Sequence, residues 1–402
     1  MAVKRGRKFL NTPGPTHVPD RVMNAMHQPT MDLSDPYFLD VSMSCFQDIR
    51  KVFKTKEEMF LYSSNGHGAW EAALANVFSP NDKILVPHTG NFSNAWASMA
   101  RALTLDVETL PSDWQRAINP NALEEFLKRD TKAEIKGILI IHTETATGIT
   151  NDLPAIRAAI DAAGHPGLLI VDTVAAAGTV DYQMDEWGID ITVGASQKGL
   201  MMPPGLGIVA AGEKALSAHK KASMPRLYWD WKTRLEAEHY RKFCGTAPQL
   251  MVFGLREALD MLFEEGLENV FERHRVLAGA TQAAVEAWGQ AGTLSLNAIE
   301  PSERSNAVTT ILTADGIDAD KLRSICRDEM MVGLGGGLGD LSGKAFRIGH
   351  MGDINAPMLY AALASVESTL GYMDIKYASG GVTAAIDYVT AVKKEQKGPF
   401  TY

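Results

Sequence analysis

At 402 residues the chain exceeds what one hydrophobic core normally organises, and two domains are expected. Its 46% hydrophobic and 22% charged residues exclude a disordered chain, and a net charge of −9 argues against a nucleic-acid partner, which would need a basic stripe. Cys45, Cys244 and Cys326 are odd in number and far apart. They imply neither a disulfide framework nor a metal site, and a reducing, cytoplasmic compartment fits them.

The basic start Met1 to Lys8 has no apolar segment behind it, and no later stretch reaches the roughly 18 apolar residues of a membrane span. The expectation is a flexible N-terminal arm and no membrane partner. Ala69 to Phe78 reads as a helix, Lys83 to Pro87 as a strand and Ser93 to Leu105 as a helix. Lys136 to Ile141, Gly167 to Val171 and Ile189 to Val193 are β-rich runs, with a helix over Leu153 to Ala163 between the first two. Strands separated by helices predict an α/β domain with a mostly parallel, doubly wound sheet. Gly205 to Ala211 follows two prolines and returns quickly, which suits a strand of opposite direction. Helices are expected over Leu255 to Glu265 and Leu267 to Trp288, and a smaller α+β unit follows. It has strands at Ala307 to Leu312 and Ala345 to Ile348 and helices at Asp318 to Met330 and Pro357 to Leu370. These readings divide the chain into an arm (1–25), a large domain (26–275) and a small C-terminal domain (276–402).

Ligands of such sheets bind at the carboxyl ends of the strands. There Leu168-Leu169-Ile170-Val171 ends in Asp172, with Thr173 and Val174 behind it, and Gly194-Ala195-Ser196-Gln197-Lys198 follows some two dozen residues later. A buried carboxylate and a lysine in this setting are what pyridoxal phosphate chemistry needs. Asp172 would keep the ring nitrogen protonated and Lys198 would form the Schiff base. Ser63-Ser64-Asn65-Gly66-His67-Gly68 precedes a helix and could cradle a phosphate, although such turns are common without one. His142-Thr143-Glu144-Thr145-Ala146-Thr147-Gly148 crowds hydroxyl and carboxyl groups at another strand end, and is equally readable as a capping turn. The glycine run Gly333 to Gly339 lacks the surroundings of a dinucleotide fingerprint and reads as a hinge or flexible loop. Arg347 beyond it offers a guanidinium fork for a substrate carboxylate, or a structural ion pair.

Taken together, Pro13-Gly14-Pro15-Thr16, Asn65-Gly66-His67, Glu144 to Gly148, Asp172, Ser196 to Gly199, Pro203 to Leu206, Leu255 to Leu259 and Gly343-Lys344 leading to Arg347 to His350 resemble the class V pyridoxal-phosphate aminotransferases. The resemblance is to the branch that acts on alanine or serine and glyoxylate, and it covers nearly the whole chain. It implies a fold-type I transferase with a seven-stranded large-domain sheet, and a homodimer whose partner closes each site. Lys198 and Asp172 are then the catalytic pair. Asn65, Gly66, His67, Phe92, Thr145, Val174, Gln197 and Thr246 are implied as cofactor contacts, Phe92 by stacking and Thr246 from the partner subunit. Arg347, His17 and Thr145 are implied at the substrate. The chain departs from the branch at His17, at Asp32-Leu33-Ser34-Asp35 where an arginine is lost, at Thr143, Thr173 and Ala175-Ala176, and at Cys244-Gly245.

The reaction implied is transfer of an amino group from serine, alanine or aspartate to glyoxylate or pyruvate. A lyase or cysteine desulfurase of the same fold, or a non-catalytic nucleotide-binding protein, are the other readings. A desulfurase needs a cysteine on a mobile loop, whereas Cys326 lies in a helical pattern and is expected in the core.

Overall fold

The computed structural model describes residues 5–396. Fourteen strands are assigned among them. In chain order they are β1 (Phe9–Asn11), β2 (Glu58–Ser64), β3 (Lys83–His88), β4 (Asp106–Pro111), β5 (Ile135–Ile141), β6 (Thr143–Glu144) and β7 (Ile149–Thr150). There follow β8 (Leu168–Asp172), β9 (Ile191–Ala195), β10 (Gly205–Ala211), β11 (Leu294–Leu296), β12 (Val308–Thr313), β13 (Val332–Gly336) and β14 (Ala345–Gly349). Seven of them form one sheet in the order β2-β10-β9-β8-β5-β3-β4. Only β10 runs against its neighbours, antiparallel to both β2 and β9, as its short return predicts.

The apolar runs are continuous rather than alternating because both faces of this sheet are covered. Along β5, Ile138 and Ile140 enter one core and Leu139 and Ile141 the other. Each such fully buried side chain stabilises the fold by about 1.5–3 kcal/mol. One covering helix, Pro36–Phe53, starts where Asp35 accepts from the Tyr37 amide and Pro36 presets the first turn, and it stops at Lys54 in a left-handed conformation. It buries Phe38, Cys45, Ile49, Val52 and Phe53, a stripe at helical spacing.

A second sheet, β1-β13-β14-β12-β11, carries its own core of Val276, Ile311, Phe346, Leu359 and their neighbours. The helix Leu267–Gly289 joins the two units, with Val270 in the first core and Val276 onward in the second. Two expectations change here. From Phe9 on the N-terminal segment is not a free arm, because β1 pairs in parallel with β13 as an edge of the small sheet. Nor is the glycine run a flexible loop throughout, since Val332–Gly336 is a strand bonded on both sides. Its glycines serve close packing: a Cβ on Gly335 would lie 2.6 Å from Pro13 Cδ. No helix among the described residues is long and apolar enough to cross a membrane.

Candidate active site

The carboxyl ends of β2, β5, β8 and β9 converge on a cavity of about 270 Å3. Asp172, the last residue of β8, is 5% exposed at its floor. Its Oδ1 accepts from the Val174 amide at 2.6 Å and its Oδ2 from the Trp70 indole N–H at 2.6 Å. Burial pushes the carboxyl up to about 6, against the pull of those two donors and of the Lys198 charge.

Lys198 lies on the turn after β9 and is clamped by the N-terminal segment. Thr16 donates its amide to Gln197 O at 3.2 Å and its hydroxyl to Lys198 O at 3.1 Å, while Lys198 Nζ donates to Pro13 O. Gly14 has φ +108°, a left-handed conformation that favours glycine, and it lies directly against the Lys198 side chain. Burial and the Arg347 charge lower the Lys198 pKa to about 8, opposed by Asp172 and Glu144. This shift favours the neutral amine, the form that acts as a nucleophile.

At the other end of the cavity the helix Gly66–Val77 begins. Asn65 caps it, its Oδ1 accepting from the amides of His67 at 3.1 Å and Gly68 at 3.3 Å. Burial lowers the His67 pKa, which favours its neutral form. Gln197 also lines the cavity, and its Oε1 is buried without a hydrogen-bond partner. An unpaired buried oxygen is open to a donor, whereas the helix N-terminus at this end of the cavity suits an anion.

Phe92, at the start of the helix Asn91–Ala102, forms one wall. It is fixed from below by Glu144, which is fully buried. Glu144 Oε2 accepts from the Phe92 and Ser93 amides at 3.0 and 3.1 Å, and its Oε1 from the Ala146 amide at 3.0 Å. Burial pushes this carboxyl up to about 7 despite three donors, with the Asp172 charge adding to the rise. Thr143, Thr145 and Val174 complete the walls. Arg347 is 7% exposed and does not line the cavity. It donates from Nη1 to Thr145 O at 2.8 Å and from Nε to Gly336 O at 2.6 Å, while its Nη2 makes no hydrogen bond to the described residues.

The structure thus brings together Asn65, Gly66, His67, Phe92, Thr145, Asp172, Val174, Gln197 and Lys198, with Arg347 behind Thr145 through its bond to Thr145 O. It does not bring His17 or Thr246 to the cavity. Both are exposed, and Thr246 borders a separate surface depression with Thr30, Met31 and Leu250. Leu33 packs on the large core, and Ser34 donates its amide and hydroxyl to Asp32. Sequence reasoning missed Trp70, and it named Glu144 and Gly14 only as members of their motifs, without the roles seen here. Trp70 stands one helical turn from Gly66 and so on the same face, a spacing that could have shown it. Glu144 is the lone carboxylate in a loop of hydroxyls.

These groups fit pyridoxal phosphate: an amine for its aldehyde, a carboxylate for its ring nitrogen, an aromatic wall, and a helix N-terminus for its phosphate. Comparison with known proteins agrees. The profile of the family described as aminotransferase class-V matches residues 8–338. A serine–glyoxylate aminotransferase of Methylorubrum extorquens is 42% identical, covering 97% of this chain and 98% of that protein. An L-aspartate–glyoxylate aminotransferase of Paracoccus denitrificans is 38% identical over 94% of both chains. The crystal structure of ureidoglycine–glyoxylate aminotransferase from Bacillus subtilis superposes with a TM-score of 0.88 at 28% identity, covering 97% of this chain and 100% of that one.

Proposed function

The chain belongs to the class V aminotransferase family, with the fold-type I architecture of pyridoxal-phosphate transferases, and on that premise we propose that it moves the amino group of a small neutral amino acid, serine or alanine, to glyoxylate. The observation that carries the choice of donor is the lining of the cavity, which holds no arginine: its basic side chains are Lys198 and His67 alone. Among the lining residues a distal carboxylate such as aspartate's has no guanidinium to meet, and Arg347, behind Thr145, is assigned to the α-carboxylate.

When bound, pyridoxal phosphate supplies an aldehyde that takes up an amine and a ring that withdraws electrons from the α-carbon. Lys198 holds that aldehyde and, released from it, carries a proton from the substrate α-carbon. Asp172 holds the proton on the ring nitrogen. Phe92, braced by Glu144, covers one ring face. Asn65, Gly66, His67 and Gln197 hold the phosphate from one subunit and Thr246 from the other. Exposed Leu227, Tyr228, Leu235, Tyr240 and Leu250, near Thr246 in sequence, support a homodimer. Thr145, on the cavity wall, is assigned to the substrate, and His17, exposed outside the cavity, carries that assignment from the resemblance alone. Three unpaired cysteines suit a cytoplasmic enzyme.

A desulfurase is disfavoured. Cys326 is buried in the helix Ala319–Asp328, its Sγ lies 3.1 Å from Thr369 Oγ1, and burial raises its pKa. The test is kcat/KM for L-serine, L-alanine and L-aspartate with glyoxylate as acceptor. Serine or alanine should lead aspartate by at least about tenfold, or roughly 1.4 kcal/mol. Aspartate in the lead would overturn the choice of donor.

A further inference from the structure

Asp172 makes two hydrogen bonds in this structure. One is local, from the Val174 amide two residues on, and any chain that turns here would supply it. The other comes from Trp70, more than a hundred residues away in sequence, and depends on one side chain. At 2.6 Å and 2% exposure of the indole, it is a short, buried, charge-assisted bond, a kind roughly twice as strong as a neutral one.

The indole is chosen by its chemistry and fixed by its neighbours. Its Nε1 donates and cannot accept, so it neither competes with Asp172 for a proton nor takes one. Trp70 stacks on Trp96 with ring centroids 5.3 Å apart and planes at 13°. His67 lies 4.5 Å from it, centroid to centroid, and Phe92 meets it edge-on at 6.5 Å. Trp70 is also one helical turn beyond Gly66, on the helix whose first residues face the phosphate end of the cavity. A single rigid helix therefore reaches both ends of the cofactor's place.

We propose that Trp70 is a positioning residue: its indole N–H holds Asp172 Oδ2 so that the carboxylate stays ionised and aimed at the cofactor's ring nitrogen, in fixed register with the phosphate end. The Val174 amide alone leaves the carboxylate free to turn about its side-chain torsion. With both oxygens held, it has one orientation. The donor also stabilises the charged form of a buried acid, which burial otherwise drives towards protonation.

The inference rests on the pyridoxal phosphate assignment and not on the choice of substrates. Its test is cofactor binding to apoenzyme, followed by equilibrium dialysis with two probes: pyridoxal phosphate, and the analogue in which carbon replaces the ring nitrogen. The wild type should bind the natural cofactor more tightly than the analogue, because only the former offers an N–H to Asp172. Trp70→Phe keeps the aromatic stack and loses the donor, and it should reduce that preference by at least about tenfold. Trp70→His, whose Nε2 takes the place of the indole Nε1 in the five-membered ring, should recover part of the preference. It also serves as the test should the Phe variant not fold. A variant that weakens both probes equally has damaged the pocket in general, and that outcome would overturn the proposal, as would an unchanged preference in Trp70→Phe. A wild-type chain that binds neither probe would remove the cofactor assignment itself.

Discussion

Asp172 and Thr246 are both assigned to one cofactor, yet the structure treats them differently. Asp172 is 5% exposed with both carboxylate oxygens hydrogen-bonded, whereas Thr246 is exposed and its hydroxyl has no partner among the described residues. The floor of the cavity is finished within one chain, because strand ends and a helix N-terminus, fixed by their own backbones, put Asp172, Lys198 and Asn65 in place. The residues assigned to the rim are placed differently. His17, Ser34 and Thr246 lie at the surface, outside the cavity lining. In the proposed homodimer one chain builds the floor, and Thr246 comes from the other.

Lys198→Ala should break the floor most completely. Turnover should fall by about 10^4-fold or more, with the circular dichroism of the folded protein retained, since imine exchange and proton transfer both use this amine. Near-normal turnover would remove Lys198 from the mechanism. Asp172→Ala comes next, at about a hundredfold or more, roughly 2.7 kcal/mol in the activation barrier. A loss smaller than about tenfold would show that this carboxylate is not the partner of the ring nitrogen.

Thr246→Ala sharpens the contrast from the rim. It should leave thermal unfolding of the apoenzyme in place and weaken cofactor binding by roughly tenfold, the range of one hydrogen bond to a charged group. Unchanged affinity in a dimeric sample would deny the shared site. The gentlest probe is pH. Because burial raises the Asp172 carboxyl to about 6, it protonates as pH falls below that value and can no longer accept from the ring nitrogen. Cofactor affinity should therefore decline by up to about tenfold per pH unit below 6. Asp172→Asn should flatten that limb, and a limb of equal steepness in the variant would assign it to another group.

Much of the floor was legible in the sequence, because it is written in short range. A strand ending in Asp172, a turn carrying Lys198 and a Gly-rich turn before a helix each announce themselves within a few residues. The reversed strand Gly205–Ala211 was legible for the same reason, through its prolines and quick return. What was hidden depends on distant pairing. Three residues, Phe9–Asn11, become a strand only because β13 lies beside them, and the glycines of β13 look like a loop until Pro13 and Arg323 are seen pressed against Gly335 and Gly336. Trp70 and Glu144 resemble ordinary helix and loop residues, and their roles follow from partners far away in sequence, Asp172 for one and the Phe92 amide for the other. No local pattern encodes such contacts.

The most direct test of the account is a half-reaction. Holoenzyme mixed with L-serine and no acceptor should lose the visible absorbance of its lysine-bound cofactor, release one equivalent of the oxo acid per active site, and regain the band when glyoxylate is added. Lys198→Ala, loaded with the same cofactor, should do neither at a comparable rate. Release of ammonia in place of a stored amine, or a band that glyoxylate does not restore, would contradict transamination at Lys198 and Asp172.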